Sequence, residues 1–389
     1  VGLPTKHLSA PGAAFFAAIL GCTGNRAATW SSTSSRRQRE TPMSELDDAL
    51  TYLGDCGPEF GPGISNHGPM AAEALIRLGR PDAVGRFTSE YRKQLYPDGP
   101  TRALAIDAAN WRTALGNMRL IADWNAFFRT QLAEQPWPEV LGLWWPRLLP
   151  GLPAGAGHGV IRTGHAVRAI AEKHTPERLD ELACGLGYWA ARYQELPGSG
   201  RFAGARELPV AWATLPKLRT SQGIREVVRI RLEALDLLPD FAAEVDDVRQ
   251  PEDPHQALSV ITKLAAHAYL SDDHQKFMAI IHALTVPAVV RLVLPHLPAE
   301  QAWPSVAAAW QFTAAIRSAY GTGLRSPQPL PVTPAGYDVL ADRAIATGDP
   351  HAIKYVEACS REDELAGDPI YSLVATDWIR RMEDGTWVN

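Results

Sequence analysis

The chain has no block of basic residues, no paired cysteines and no glycine-rich nucleotide loop, and each of these gaps removes a class of function. Its 38 Lys and Arg are outnumbered by 43 Asp and Glu, for a formal net charge of −5. The two signs are interspersed, without the cationic stripe that neutralises phosphates, so nucleic acid is not an expected partner. Only four cysteines occur in 389 residues, Cys22, Cys56, Cys184 and Cys359, and none forms a CxxC pair. That argues against a disulfide framework and reads as reduced, mostly buried thiols of a cytoplasmic protein. GxGxxG, Walker, GxSxG, HExxH and EF-hand patterns are missing, so flavin and nicotinamide have no recognisable site. NADPH enters the expectations only as an external reductant. After residue 42, no stretch reaches the ~18–20 uninterrupted apolar residues of a membrane span.

What is present is an ordinary globular composition, 46% apolar and 21% charged, over a length that can bury a large core. Residues 1–42 stand apart, with a short apolar run from Ala13 to Leu20 and then a stretch rich in Ser, Thr and Arg. Lys6 and His7 before the run, and Ile19-Leu20-Gly21-Cys22 at its end, have the layout of a lipoprotein export signal. Met43 opens a normal amphipathic segment and supports the other reading, in which Met43 is the native start and residues 1–42 carry no fold. The second reading is the expectation, and with it a cytoplasmic location; the first would make the protein an exported lipoprotein.

From Met43 onward, apolar positions recur at helical spacing between Pro and Gly punctuation, and strand signals are scarce. Helices are expected over about 67–78 (capped by Asn66 or Ser65), 111–134, 158–173, 177–193, 226–237, 254–270, 272–284, 287–294, 300–320, 337–347 and 350–361, the last started by Asp349-Pro350, an N-cap carboxylate followed by proline. The proline-rich stretch 144–153 is expected as a loop forming the lid or mouth of a site. The fold expected is all-α: a single domain, residues 43–389, of stacked helical hairpins with a buried histidine-rich central cavity.

Several of the eleven histidines fall on apolar helix faces. His67 shares its stripe with Ala71, Ala74 and Leu78, so its ring should point inward. His158 and His165 lie two turns apart on one face, roughly 10 Å along the axis, which tells against both binding one metal in a straight helix. Gly157, Gly159 and Gly164 beside them suggest close backbone approach or a distortion. His282 sits in an apolar stretch where it needs a partner, and His267 has a weaker form of the same claim. Each histidine, singly, is satisfied by a carbonyl or a water in the simplest case. Together they resemble a bundle-core metal site. Lys354, beside His351 on a half-buried helix, either snorkels to water or is buried as a neutral amine, able to act as a base or to take up CO2 as a carbamate ligand. Trp124, Trp144 and Trp145 crowd one region and are candidates for an aromatic-substrate pocket, or simply core.

Asn66-His67-Gly68-Pro69-Met70, continuing Ala71-Ala72-Glu73-Ala74-Leu75, and the block Gly157-His158-Gly159-Val160-Ile161-Arg162-Thr163-Gly164-His165-Ala166-Val167-Arg168 resemble the signature blocks of the questin oxidase-like family. Shorter similar blocks are Tyr188–Tyr193, the His282–Thr285 segment and His351-Ala352-Ile353-Lys354. The resemblance implies a helical oxygenase opening an anthraquinone-type ring of a polycyclic aromatic polyketide in a Baeyer–Villiger-like oxidation, in natural-product biosynthesis. It carries the metal role onto His67, His158, His165, His282 and Lys354, with non-haem Fe(II) as the expected ion. His351, Lys354 and Arg162 are the expected catalytic residues, with Lys354 or a histidine as base toward a phenol; Arg162 or Arg168 either holds a phenolate or carboxylate or, in the simpler reading, lies solvated on the helix surface. The expected partners are a small aromatic substrate and O2. Two rival readings are a cofactor-free oxygenase working by His and Lys acid–base chemistry, and a non-catalytic helical scaffold. A metal-dependent hydrolase is less favoured, for want of a carboxylate cluster beside the histidines.

Overall fold

In the computed structural model, residues 45–61, 63–96, 101–218, 228–274, 277–324 and 333–385 are described. The reading of residues 1–42 lies outside them. The chain opens with α1 (Glu45–Leu53), a two-stranded antiparallel turn of β1 (Glu59–Phe60) and β2 (Ile64–Ser65), then α2 (Gly68–Arg77), α3 (Pro81–Arg92), α4 (Trp111–Ala114), α5 (Ile121–Glu134) and α6 (Trp137–Leu148). Next come α7 (His158–Glu172), α8 (Pro176–Ala191), α9 (Leu208–Thr214), α10 (Val228–Glu233), α11 (Phe241–Asp246) and α12 (Pro254–Ser271). The last part holds β3 (Asp272–His274), α13 (Phe277–Ile280), α14 (His282–Val293), α15 (Ala302–Tyr320), β4 (Gly321–Leu324), α16 (Tyr337–Thr347), α17 (Pro350–Ala366) and α18 (Ile370–Glu383), with β3 paired antiparallel to β4. The fold is therefore all-α, with two small strand pairs among the described residues.

Four of these helices enclose the centre. Helix α7 lies against α2, α8 and α14, while α17 lies against α2 and α14. Two glycines allow α7 to come this close. A Cβ on Gly159 would lie 2.7 Å from the Cα of Trp189 in α8, and one on Gly164 would lie 2.2 Å from Cγ1 of Val289 in α14. The glycines flanking the histidines thus mark backbone approach on both sides.

Helix α14 belongs to the stretch 278–296, which by length and composition could cross a membrane. Most of that stretch is buried against its neighbours (78%), and a core helix meets the same criterion. Among the described residues two prolines lie inside helices, where each removes the N–H that would bond the carbonyl four residues back. Pro146 frees the Gly142 carbonyl, which accepts from Gln301 Nε2 at 2.8 Å; Pro287 frees that of Ala283, which accepts from Thr313 Oγ1 at 3.0 Å. Tertiary partners near or on α15 thus replace the lost helical bonds.

Three sequence expectations change. The stretch 144–153 is no loop: it completes α6 and continues as a 3-10 turn at Leu149–Gly151. The helix expected over 111–134 is interrupted between α4 and a 3-10 turn at Met118–Leu120. The helix expected over 272–284 is split, so that His282 becomes the first residue of α14.

Candidate metal centre

The site is built from helix starts. His67 is the residue before α2, His158 and His282 open α7 and α14, and His351 lies in the first turn of α17. Three of the rings are fixed through their outer nitrogen by an oxygen that accepts. His158 Nδ1 lies 2.6 Å from the Gly155 carbonyl, His282 Nδ1 lies 2.8 Å from that of Met278, and His351 Nδ1 lies 3.1 Å from Asp349 Oδ1. These oxygens only accept, because burial's upward pull on the Asp349 carboxyl is overcome by hydrogen bonds from His351 and the group stays ionised. All three rings must therefore carry the proton on Nδ1, leaving an Nε2 lone pair turned inward. The turn before α7 makes the Gly155 contact: Gly155, Ala156 and Gly157 all have left-handed φ, +58°, +62° and +87°. Ala156 holds this conformation without a glycine's freedom, a local strain beside the site.

The inward nitrogens converge. His67 Nε2 is 2.8 Å from His158 Nε2, which is 3.2 Å from His282 Nε2. The His351 ring packs 4.3 Å from that of His67, centroid to centroid, and about 6 Å from those of His158 and His282. Possible ligand atoms of His67, His158 and His351 all lie within 4.8 Å of one another, so these three histidines could hold a metal ion. The donor chemistry fits one: neutral imidazoles with their second nitrogen anchored are good ligands for iron, zinc or copper. Burial, then neighbouring positive groups, keeps the rings neutral. It pushes His282 down to about 3 and holds His67 and His158 well below the usual histidine range.

Lys354 is buried (5% exposed) and lines a small cavity with His165, His282, His351, Thr285 and Glu357. The cavity has room for about one water. Burial brings the ammonium down to about 7, with Asp349 partly opposing the shift. It does not snorkel.

His165 is placed differently. Its ring lines the same cavity, but Nδ1 is 2.7 Å from Glu73 Oε2, in a buried network where Arg168 bridges Glu73 and Glu357. Of the two histidines expected as ligands on α7, His158 lies in the converging group, whereas the His165 ring is engaged by Glu73. His267 is exposed, whereas His282 faces His158.

Arg162 is not a solvated surface arginine. It is 8% exposed and forks onto Glu181 at 2.6 and 2.7 Å, so its charge is already matched. Trp124, Trp144 and Trp145 line neither this cavity nor the smaller one next to it. They are core: Trp144 packs edge-on against Trp111, Trp124 and Phe128, and Trp145 against Trp189. Sequence reasoning missed the carboxylates Asp349, Glu73 and Glu357, and Tyr91, whose hydroxyl accepts the His67 backbone N–H at 2.8 Å. Asp349 was visible as a helix cap; nothing local marked its second bond to the His351 ring.

The family model described as questin oxidase-like matches residues 64–359, well over half of the chain. The chain belongs to the questin oxidase-like family. The match spans His67, His158, His282, His351 and Lys354, and supports an oxygenase acting with O2 on a small molecule. No curated protein matches the chain.

Proposed function

We propose that this questin oxidase-like protein uses O2 for Baeyer–Villiger-like ring cleavage of an anthraquinone-type polyketide, at a non-haem iron held by His67, His158, His282 and His351. The observation carrying the reading is the pair His158 and His282. Both donate their ring proton from Nδ1 to a main-chain carbonyl, so neither has a hydrogen to place between the two Nε2 atoms, which lie 3.2 Å apart. Neutral imidazoles in that arrangement repel, and a cation between them removes the repulsion. Bound Fe(II) would supply the one-electron chemistry that lets triplet O2 react with a closed-shell substrate.

The chain's own groups do the rest. The carbonyls of Gly155 and Met278 and the Asp349 carboxylate hold three rings in one tautomer. Lys354 Nζ, near neutrality at physiological pH, takes a phenolic proton and raises the electron density of the ring to be opened. A Lys354 carbamate would instead add an anionic oxygen donor. His165 supports this wall of the cavity through Glu73, outside the ligand set.

The test is metal analysis of protein purified without a histidine tag, followed by oxygen uptake with a panel of anthraquinones. About one iron per chain, with uptake lost on chelation, is expected. Full turnover by chelated protein would overturn the iron reading in favour of a cofactor-free oxygenase, which a neutral Lys354 could also serve. Insertion of one oxygen atom consumes two external electrons, as from NADPH, and insertion of both consumes none. Counting NADPH per O2 therefore distinguishes mono- from dioxygenase.

A further inference from the structure

His67 differs from the other three histidines in what holds its outer nitrogen. His158, His282 and His351 each face an oxygen that only accepts. Among the described residues, the partner of His67 Nδ1 is the Tyr91 hydroxyl at 3.4 Å, and a hydroxyl can both give and take. Tyr91 is 2% exposed, and its ring is clamped by Phe87, stacked at 5.6 Å, and Phe60, edge-on at 6.1 Å. Its oxygen already accepts from the His67 backbone N–H.

The proton positions follow in sequence. At 2.8 Å, one hydrogen must lie between His67 Nε2 and His158 Nε2 when no cation is bound. His158 cannot supply it, because its one ring proton sits on Nδ1 and is donated to the Gly155 carbonyl. It therefore sits on His67 Nε2, which leaves His67 Nδ1 bare and Tyr91 as its donor. For Nε2 to engage a cation, the ring hydrogen has to move to Nδ1, and the same hydroxyl must turn and accept it. No proton is gained or lost between the two arrangements.

We infer that Tyr91 is a positioning residue for the metal centre, a hydroxyl that lets His67 exchange one ring tautomer for the other as the site is filled. The inference rests on the metal reading above and adds to it an ordering: three rings are set in advance for a metal and one is rearranged by it.

The experiment uses full-length protein with 15N-labelled histidine, Zn2+ as a diamagnetic probe, and the variant Tyr91→Phe. In metal-free wild type, long-range 1H–15N spectra should show His67 protonated on Nε2 and His158, His282 and His351 on Nδ1. Adding Zn2+ should move the His67 proton to Nδ1. Tyr91→Phe should weaken Zn2+ binding about 10–100-fold in chelator competition, the range seen for lost outer partners of metal ligands. The wild-type spectra do not depend on how well the variant folds. A His67 proton on Nδ1 in both states, or equal Zn2+ affinity in a folded variant, would overturn the role of Tyr91 and leave the metal centre intact. Failure of wild type to bind any Zn2+ would overturn the centre, and this role with it.

Discussion

His158 and His282 meet Nε2 to Nε2 at 3.2 Å, although neither has a hydrogen to place between them. A cation between them would relieve this contact, and the folded chain is the form that should hold it. The first prediction concerns stability. A ligand that binds only the folded state at 100 times its Kd stabilises by ~2.7 kcal/mol. Stripping metal from wild type should lower its melting temperature accordingly. In His158→Ala or His282→Ala, chelator should leave the melting temperature unchanged. A chelator-sensitive melt in both variants would show that the metal binds elsewhere.

The second prediction concerns pH. Ordinary histidine sites lose metal as the solution passes below the free imidazole pKa, ~6.5, because protons compete for the ligand nitrogen. Here burial holds the rings below that value, His282 down to about 3. Zn2+ affinity measured by competition should thus stay nearly flat from pH 8 to ~5. Without metal, the sign for stability is the usual one for depressed histidines. The unfolded chain takes up protons below pH ~6.5 and the folded one does not, so stability falls with acidification from that point. A tenfold loss of affinity per pH unit beginning at 6.5 would contradict the neutral, buried rings.

Lys354 gives a third prediction, of opposite range. Its folded pKa, near 7, lies below the ~10.4 of an unfolded lysine. Between those values the unfolded chain binds the extra proton, so stability should rise with pH through that interval. Lys354→Met removes the penalty. The variant should be more stable than wild type, by roughly 4 kcal/mol at most near pH 6, and the advantage should vanish by pH ~10. Urea titrations at three pH values measure it. The same variant should lose oxygen uptake if Lys354 is the base.

How far the sequence foretold these features depended on whether their causes were local. Helical periodicity and the Asp349-Pro350 start were local, and α17 begins where they place it. The inward faces of His67, His158 and His282 were likewise read from apolar neighbours, and all three rings are buried. The two-turn spacing of His158 and His165 is the local sign that their rings part company, although the resemblance carries the metal role onto both. What failed depended on distant partners. The 144–153 stretch reads as a proline loop, but Gln301 satisfies the carbonyl that Pro146 frees, so the helix persists. Arg162 reads as a surface arginine because its counter-ion, Glu181, lies on the next helix. The tryptophans were visible as a cluster, and only packing shows that Trp124 and Trp144 meet each other and Phe128 while Trp145 meets Trp189.

The last prediction tests that dependence on tertiary partners where it reaches the site. Helix α14 carries His282 at its first position and Pro287 five residues on, and the Ala283 carbonyl freed by Pro287 depends on Thr313 Oγ1. Thr313 is fully buried, so Thr313→Val leaves that carbonyl without a donor in a dry environment. The cost should be about 1–3 kcal/mol in urea unfolding. Pro287→Ala restores a backbone N–H four residues after Ala283, so in that background the same Thr313→Val change should cost well under half as much. The metal should respond in parallel, since the first turn of α14 sets the His282 ring. Thr313→Val alone should weaken Zn2+ binding, and the double variant should recover it. Additive stability losses would show that Thr313 acts by packing volume and has no part in replacing the bond that Pro287 removes.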